Sequence, residues 1–267
     1  MIKDIESSSL FKREETKLQS PLKSFIYSNC LTISKMKNFQ NELKEVLKPL
    51  YKKLLNEVTF EDICTFCVQW GPKFPKENNT GLLFIGKAVN GWVNDETDVD
   101  VLFGDSDNRV FDRKDQMVWV NNAEGGESYN TKKSAFWRVV KRISAKYYPE
   151  DWYTNIAWSN LCKIAPFSQG NPSDKLYYEQ LESCQQILSR EIEILSPKVV
   201  IMFTSGWEKD FLNYLNDNNE LQSQSTIEWD GYKTQLYVIK GTKFIVSQHP
   251  QGKAEDKHVA AILKLID

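Results

Sequence analysis

The chain carries only two histidines, His249 and His258, so any imidazole chemistry falls to one of them. His249 stands in VSQHPQGK, directly after an apolar run and before Pro250. A lone histidine more often ties structure together than it catalyses, but this one stands where a substrate would lie. Asn160 closes another apolar run; its amide offers one acceptor and two donors and can read the edge of a planar base. Its plainer role is that of a turn residue. GKAVNGW (86–92) starts at Gly86, where small residues after a strand let backbone amides approach a ligand closely. It is neither a Walker loop nor G-x-G-x-x-G, so a nucleoside triphosphate or dinucleotide is not indicated. A simple turn is the competing explanation. Of the five cysteines, Cys64 and Cys67 form a C-x-x-C, while Cys30, Cys162 and Cys184 are scattered. No secretory signal is visible, so the cysteines argue against a disulfide framework and for the cytoplasm.

The elements that position these residues follow from periodicity. Four short, nearly continuous apolar runs read as strands buried on both faces: LLFIG (82–86), YTNIAWSNL (153–161), KVVIMF (198–203) and KFIVSQ (243–248). Helical patterns at 132–148, 174–195, 206–216 and 253–266 alternate with them. TIEWDGYKTQLYVI (226–239) reads as a hairpin turning at Asp230-Gly231. Residues 1–35 are polar and weakly patterned, a flexible extension. A single domain is expected over 36–267, opening with an amphipathic helix that Pro49 kinks or splits. Strands alternating with helices imply a parallel sheet covered on both sides. Ligands then bind beyond the carboxyl ends of the strands, where 86–92, 160–166, 204–207 and 249–253 all fall.

These four segments, in this order and spacing, resemble the uracil-DNA glycosylase superfamily over roughly residues 60–266. LLFIGKAVNG is similar to its first motif. SNLCKIAP resembles the Asn-Val-Val-Lys-x-x-Pro segment of the iron–sulfur branch. SPKVVIMFTSGWEKDFL resembles the strand, turn and helix of the third segment, and VSQHPQGK the His-Pro-Ser second motif. The resemblance implies a three-layer α/β/α sandwich around a four-stranded parallel sheet, with a small hairpin and an N-terminal helical extension. It implies a pocket for a base rotated out of DNA, and hydrolysis of the N-glycosidic bond of a deaminated or damaged base. His249 would donate to the developing anion on the base and Asn160 would hydrogen-bond its edge. Phe103, or failing that Trp92, would stack on it. The backbone around Gly86, Lys87, Ala88 and Val89 would contact it. Ser205, Gln251, Gly252 and Lys253 would meet the nucleic-acid backbone.

The departures from the family pattern define the alternative. Ala88 stands where many members carry the Asp or Asn that positions water, and Asn90, the substitute, falls two residues late. His-Pro-Gln replaces His-Pro-Ser. The acidic stretch NDETDVDVLFGDSD (94–107) would repel duplex phosphates if it faced the groove. An inactive nucleic-acid- or nucleotide-binding module on the same fold is therefore the second reading. By resemblance, Cys64, Cys67, Cys162 and Cys184 could ligate an iron–sulfur cluster. The reading adopted is that they are packing residues and that no cofactor is needed.

Composition sets the outer bounds. With 34 basic and 36 acidic side chains the net charge is −2, which gives no global basic footprint for nucleic acid. DNA is nonetheless the expected partner, with single and double strands both open. No apolar run approaches the ~20 residues that span a bilayer, so no membrane association is expected. A monomer is expected.

Overall fold

The computed structural model describes residues 20–74, 81–92, 94–113, 117–122 and 130–267, with side chains from residue 39 onward. By internal contacts the chain divides into two units, 1–42 and 43–267. The first helix, α1 (Ser20–Glu57), starts well upstream of Met36, where the apolar pattern places it. Residues 1–19 of the expected extension lie outside the described residues. Pro49 sits inside α1 without ending it. A proline there forfeits one backbone hydrogen bond. The buried stripe of Leu43, Leu47, Tyr51 and Leu54 supplies the packing that carries the helix through.

Strands β1 (Ile63–Thr65) and β2 (Gln69–Trp70) precede the first long run, β3 (Leu82–Gly86). Two one-turn helices follow, α2 (Val99–Leu102) and α3 (Trp119–Asn122), and then α4 (Ala135–Ala145). Next come β4 (Ile156–Asn160), β5 (Ile164–Pro166), α5 (Asp174–Leu195), β6 (Val199–Phe203) and α6 (Lys209–Leu215). The chain closes with β7 (Ser225–Trp229), β8 (Tyr232–Ile239), β9 (Thr242–Ser247) and α7 (Glu255–Ile266).

The central sheet has seven strands in the order β2-β4-β3-β6-β9-β8-β7, not four. Its middle is the expected parallel set, β4-β3-β6-β9. The hairpin is not a separate appendage; β8 pairs antiparallel with β9 and extends the sheet. Its turn is the expected Asp230-Gly231, both with positive φ (47° and 77°), the twist that a two-residue hairpin loop requires. At the other edge β2 pairs antiparallel with β4, while β1 and β5 form a separate two-stranded ladder.

Alternation along the strands sends side chains to two faces. Leu82, Phe84, Ile156, Trp158, Val199 and Ile201 pack into one core cluster with Phe136, Trp137, Val140 and Ile143 of α4 and Val259, Ile262 and Leu265 of α7. The other face is tied to α5, where Ser159 Oγ donates to Glu191 Oε2 at 2.6 Å. Hydroxyl caps fix the helix starts: Ser134 Oγ accepts from Trp137 N, and Ser173 Oγ from Leu176 N.

Two buried polar groups in this core have measurable consequences. Lys163 and Glu191, both fully buried, pair at 2.8 Å. Removing one partner strands the other charge, so Lys163→Met should cost about 3–5 kcal/mol by urea unfolding, and adding Glu191→Leu should recover most of it. His258 is buried against Trp229 (ring centroids 4.6 Å apart) and bonds Ser247 Oγ through Nε2 at 2.7 Å. Burial, with Lys253 and His249 adding smaller repulsions, lowers its pKa to about 4. The unfolded imidazole titrates near 6.5, so between those values the unfolded state binds the extra proton. Stability should therefore fall as pH drops from about 6.5 to 4, by roughly 3 kcal/mol from this group. Urea midpoints of wild type and His258→Gln across that window should differ in slope accordingly.

Candidate functional site

The carboxyl ends of β3 and β4 meet in register at Gly86 and Asn160. A methyl group at Gly86 would lie 2.4 Å from Asn160 Oδ1 and 3.7 Å from the ring of Phe136, so only glycine leaves room for the amide there. Asn160 is 1% exposed, and its Nδ2 has no hydrogen-bond partner. A buried amide donor left unpaired costs about 1–3 kcal/mol, a cost that an acceptor brought to it would relieve. Its backbone is held firmly: the Asn160 carbonyl accepts from Lys163 Nζ at 2.8 Å. Past the strand ends Leu161 N donates to the Gly86 carbonyl and Cys162 N to that of Lys87, joining the two loops.

His249 approaches from β9. Its N–H donates to Ser205 Oγ at 2.8 Å, and Ser205 holds a left-handed backbone (φ 52°) at the end of β6. Nδ1 accepts from Gln251 N at 3.3 Å, which assigns the proton to Nε2. Nε2–H bonds to nothing among the described residues. Burial and then the nearby Lys87 and Lys253 push the His249 pKa below its usual value, so at neutral pH the ring is an uncharged donor.

The aromatic partner is a residue that motif reading missed. Phe136 lies with its ring 22° from parallel to His249, centroids 6.3 Å apart. Fifty residues of chain separate Phe136 from Gly86, so no local motif links them. The available signal is topological: a helix that follows a parallel strand starts over the sheet's carboxyl edge, and Ser134 caps α4 there.

Phe103 is elsewhere; it stacks on Phe111 (4.8 Å, 19°) and tilts against Tyr51, 1% exposed. It is a core residue beneath α1 and not a face for a ligand. Trp92 joins an aromatic group with Phe66, Trp119 and Trp158, and Trp158 in turn touches Phe136. Val89 is buried and Ala88 packs on the core. No described hydrogen bond takes the backbone N–H of Ala88 or Val89. Asn90 Oδ1 accepts from Gly170 N at 2.8 Å, so its oxygen anchors the 167–170 loop. Gln251 and Gly252 are exposed in the turn after His249. Lys253 Nζ lies 5.0 Å above the Tyr232 ring, and Lys87 Nζ 5.1 Å above that of Trp207.

The cysteines are not arranged as a ligand set. Cys64, Cys67, Cys162 and Cys184 are free and buried. Cys64 Sγ lies 3.5 Å from the Ala165 carbonyl, Cys184 Sγ accepts from Lys163 N and bonds Gln180 Oε1, and Cys67 sits beside the Tyr51 hydroxyl. Burial raises the pKa of all four thiols. Among the described residues no three His, Cys, Asp or Glu side chains converge on a common point. Nor is any described helix long and apolar enough to cross a membrane.

A glycine-ended strand, a buried amide, a neutral imidazole and an aromatic ring thus stand at the carboxyl edge of one parallel sheet. No curated protein matches the chain. The profile of the uracil DNA glycosylase superfamily matches residues 72–265, from just after β2 to the last turn of α7. The chain belongs to the uracil DNA glycosylase superfamily.

Proposed function

We propose that the protein hydrolyses the N-glycosidic bond of a deaminated pyrimidine rotated out of DNA. The carrying observation is that the buried Asn160 Nδ2 and the His249 Nε2–H, at the same edge of the sheet, both lack a partner among the described residues. A base stacked on Phe136 takes one hydrogen bond at its Watson–Crick edge from Asn160 and one at its sugar-side carbonyl from His249. As the C1′–N bond breaks, its electron pair moves onto the base and positive charge develops on the sugar. The neutral imidazole donor stabilises that anion where it forms, and a preorganised donor of this kind contributes about 3 kcal/mol. Water then adds to C1′, and the proton it loses passes through solvent to the departed base anion, leaving a C1′ hydroxyl and a neutral base.

Among the described residues of the first loop, no side chain is set to deprotonate that water. Ala88 has no polar group, and Asn90 is bound to Gly170. The chemistry supported is therefore dissociative: the protein stabilises the leaving base, and the sugar cation captures neutral water. The same two residues favour a second reading, a binding module that has kept the base pocket without turnover.

Incubation with uracil-containing oligonucleotides should create alkali-labile sites. His249→Ala should lower turnover by about a hundredfold or more. Asn160→Ala should lower it as much or relax base choice, because a base-edge partner is lost. Rate against pH should show no inflection at 6.5, since His249 titrates below that value. Oligonucleotide binding without any base release would leave the binding module as the function.

Phe136 gives an independent check on the pocket. Phe136→Ala should weaken binding of the extruded base roughly tenfold, as loss of one stacking face. Phe136→Tyr should retain most of it. If Phe136→Ala binds and turns over like wild type, the base does not lie on that ring.

A further inference from the structure

One nucleophile at the sheet's carboxyl edge has no part in the hydrolysis derived above. Lys87 directly follows Gly86, the last residue of β3, and precedes Ala88. Its carbonyl accepts from Cys162 N at 2.8 Å, which fixes its backbone to the loop after β4. Its Nζ stands 5.1 Å from the centre of the Trp207 ring. Trp207 in turn meets Tyr177 edge to face, centroids 5.3 Å apart, and the Tyr177 hydroxyl donates to Asp210 at 3.0 Å. The amine thus has an aromatic seat that is itself held in place.

Lysines elsewhere are spent on carboxylates: Lys48 on Asp100, Lys146 on Asp267, Lys240 on Asp217. Lys87 Nζ makes no hydrogen bond and no ion pair among the described residues. Glu208, whose charge acts on it, has Oε2 committed to Thr204 Oγ1 and Gly206 N. Burial pushes the Lys87 pKa below its usual value; Glu208 opposes that shift and the Lys253 ammonium adds to it. Desolvation beside a second cation is how a protein makes a lysine amine nucleophilic. A lysine kept only to meet phosphates gains nothing from losing its water. The charge of Lys87 is also felt at the His249 ring, the donor for the leaving base.

On the glycosylase reading above, which supplies the substrate, we propose a second activity: Lys87 Nζ condenses with the abasic sugar left after base release and cuts the strand by β-elimination. The C1′ hydroxyl formed by hydrolysis opens to an aldehyde. The amine's electron pair bonds to C1′ while the carbonyl π pair moves onto oxygen. That oxygen takes up protons and leaves as water, and a C1′=N imine forms. The protonated imine acidifies the C2′ hydrogen. Solvent water takes that proton, the freed pair becomes the C2′=C3′ bond, and the C3′–O bond breaks with its pair leaving on the phosphate. Water then hydrolyses the imine and returns the lysine. No oxidant or reductant is consumed.

The test uses the full chain and an oligonucleotide carrying a preformed abasic site, so it does not depend on base release. Borohydride reduces the imine to a stable amine, and wild type should be captured as a covalent DNA adduct that mass mapping places on Lys87. Without borohydride the strand should be cut, leaving a 5′-phosphate on the downstream fragment. Lys87→Arg keeps the positive charge but has no amine that condenses. It should bind the abasic oligonucleotide by fluorescence anisotropy and lose both capture and cutting. No capture by wild type, an adduct on another residue, or a Lys87→Arg variant that cuts like wild type overturns the lyase. A parallel sample with a uracil-containing oligonucleotide separates the two activities. Base release without capture overturns the lyase and leaves hydrolysis standing. Capture of the abasic strand without base release supports Lys87 and sinks hydrolysis.

Discussion

Everything at the sheet's carboxyl edge depends on one buried ammonium. Lys163 Nζ reaches Ser159 Oγ at 2.7 Å, the Asn160 carbonyl at 2.8 Å and Glu191 Oε2 at 2.8 Å, with no exposure to solvent. Moving two charges out of water is expensive, and an apolar pair of similar volume often folds as well or better. The ion pair does what an apolar pair cannot. It fastens the end of β4 to α5 and takes the Asn160 carbonyl as a ligand, so the amide projects from a fixed backbone. A pocket that discriminates by hydrogen bonds needs its donors held in place before the ligand arrives. The Lys163 clamp, the Gly86 gap and the Ser205 bond to His249 all fix backbone on behalf of a side chain.

The acidic stretch between Trp92 and α4 is partly occupied with its own geometry. Glu96 Oε1 accepts from the backbone of Thr97 and Asp98; the Asp98 carboxylate caps α2 by accepting from Asp100 N. Asp100 pairs with Lys48 of α1 at 2.6 Å, and that lysine holds its carboxyl below the usual range. Three of the six carboxylates in 94–107 thus serve turns and the α1 contact. The sequence alone could not separate that use from a field across a groove, because a run of carboxylates looks the same in either case.

What could be read from sequence and what could not divide along a physical line. Continuous apolar runs announced the four parallel strands, and Asp230-Gly231 announced the hairpin, because each signal lies within a few adjacent residues. Strands of two or three residues, such as β1, β2 and β5, have no measurable period, so β2 at one edge and the separate β1–β5 ladder were invisible, and nothing local says that the β7–β8 hairpin pairs with β9. Gly86, Asn160 and His249 stood out because strand ends are where a parallel sheet binds ligands. Phe136 did not, since its role depends on a helix start brought near by fold alone. Phe103 and Asn90 were chosen by distance along the chain, and tertiary packing gave them other work. The start of α1 was missed although Leu22, Phe25, Ile26, Cys30 and Ile33 recur at helical steps before Met36, because the polar residues among them dilute the pattern.

The tryptophans have a spectroscopic consequence. Trp92, Trp119, Trp137 and Trp158 lie with neighbouring ring centroids 5.0–6.2 Å apart, and Trp137 and Trp158 both contact Phe136. The indole N–H groups of Trp92 and Trp158 are buried without acceptors. Rings this close exchange excitation among themselves, so the group behaves as one chromophore, and its apolar setting places the emission at the short-wavelength end of the indole range. That chromophore abuts the ring on which the base would rest. A molecule entering the crevice would therefore alter emission and near-ultraviolet dichroism together, so the protein carries a built-in optical reporter of its own pocket.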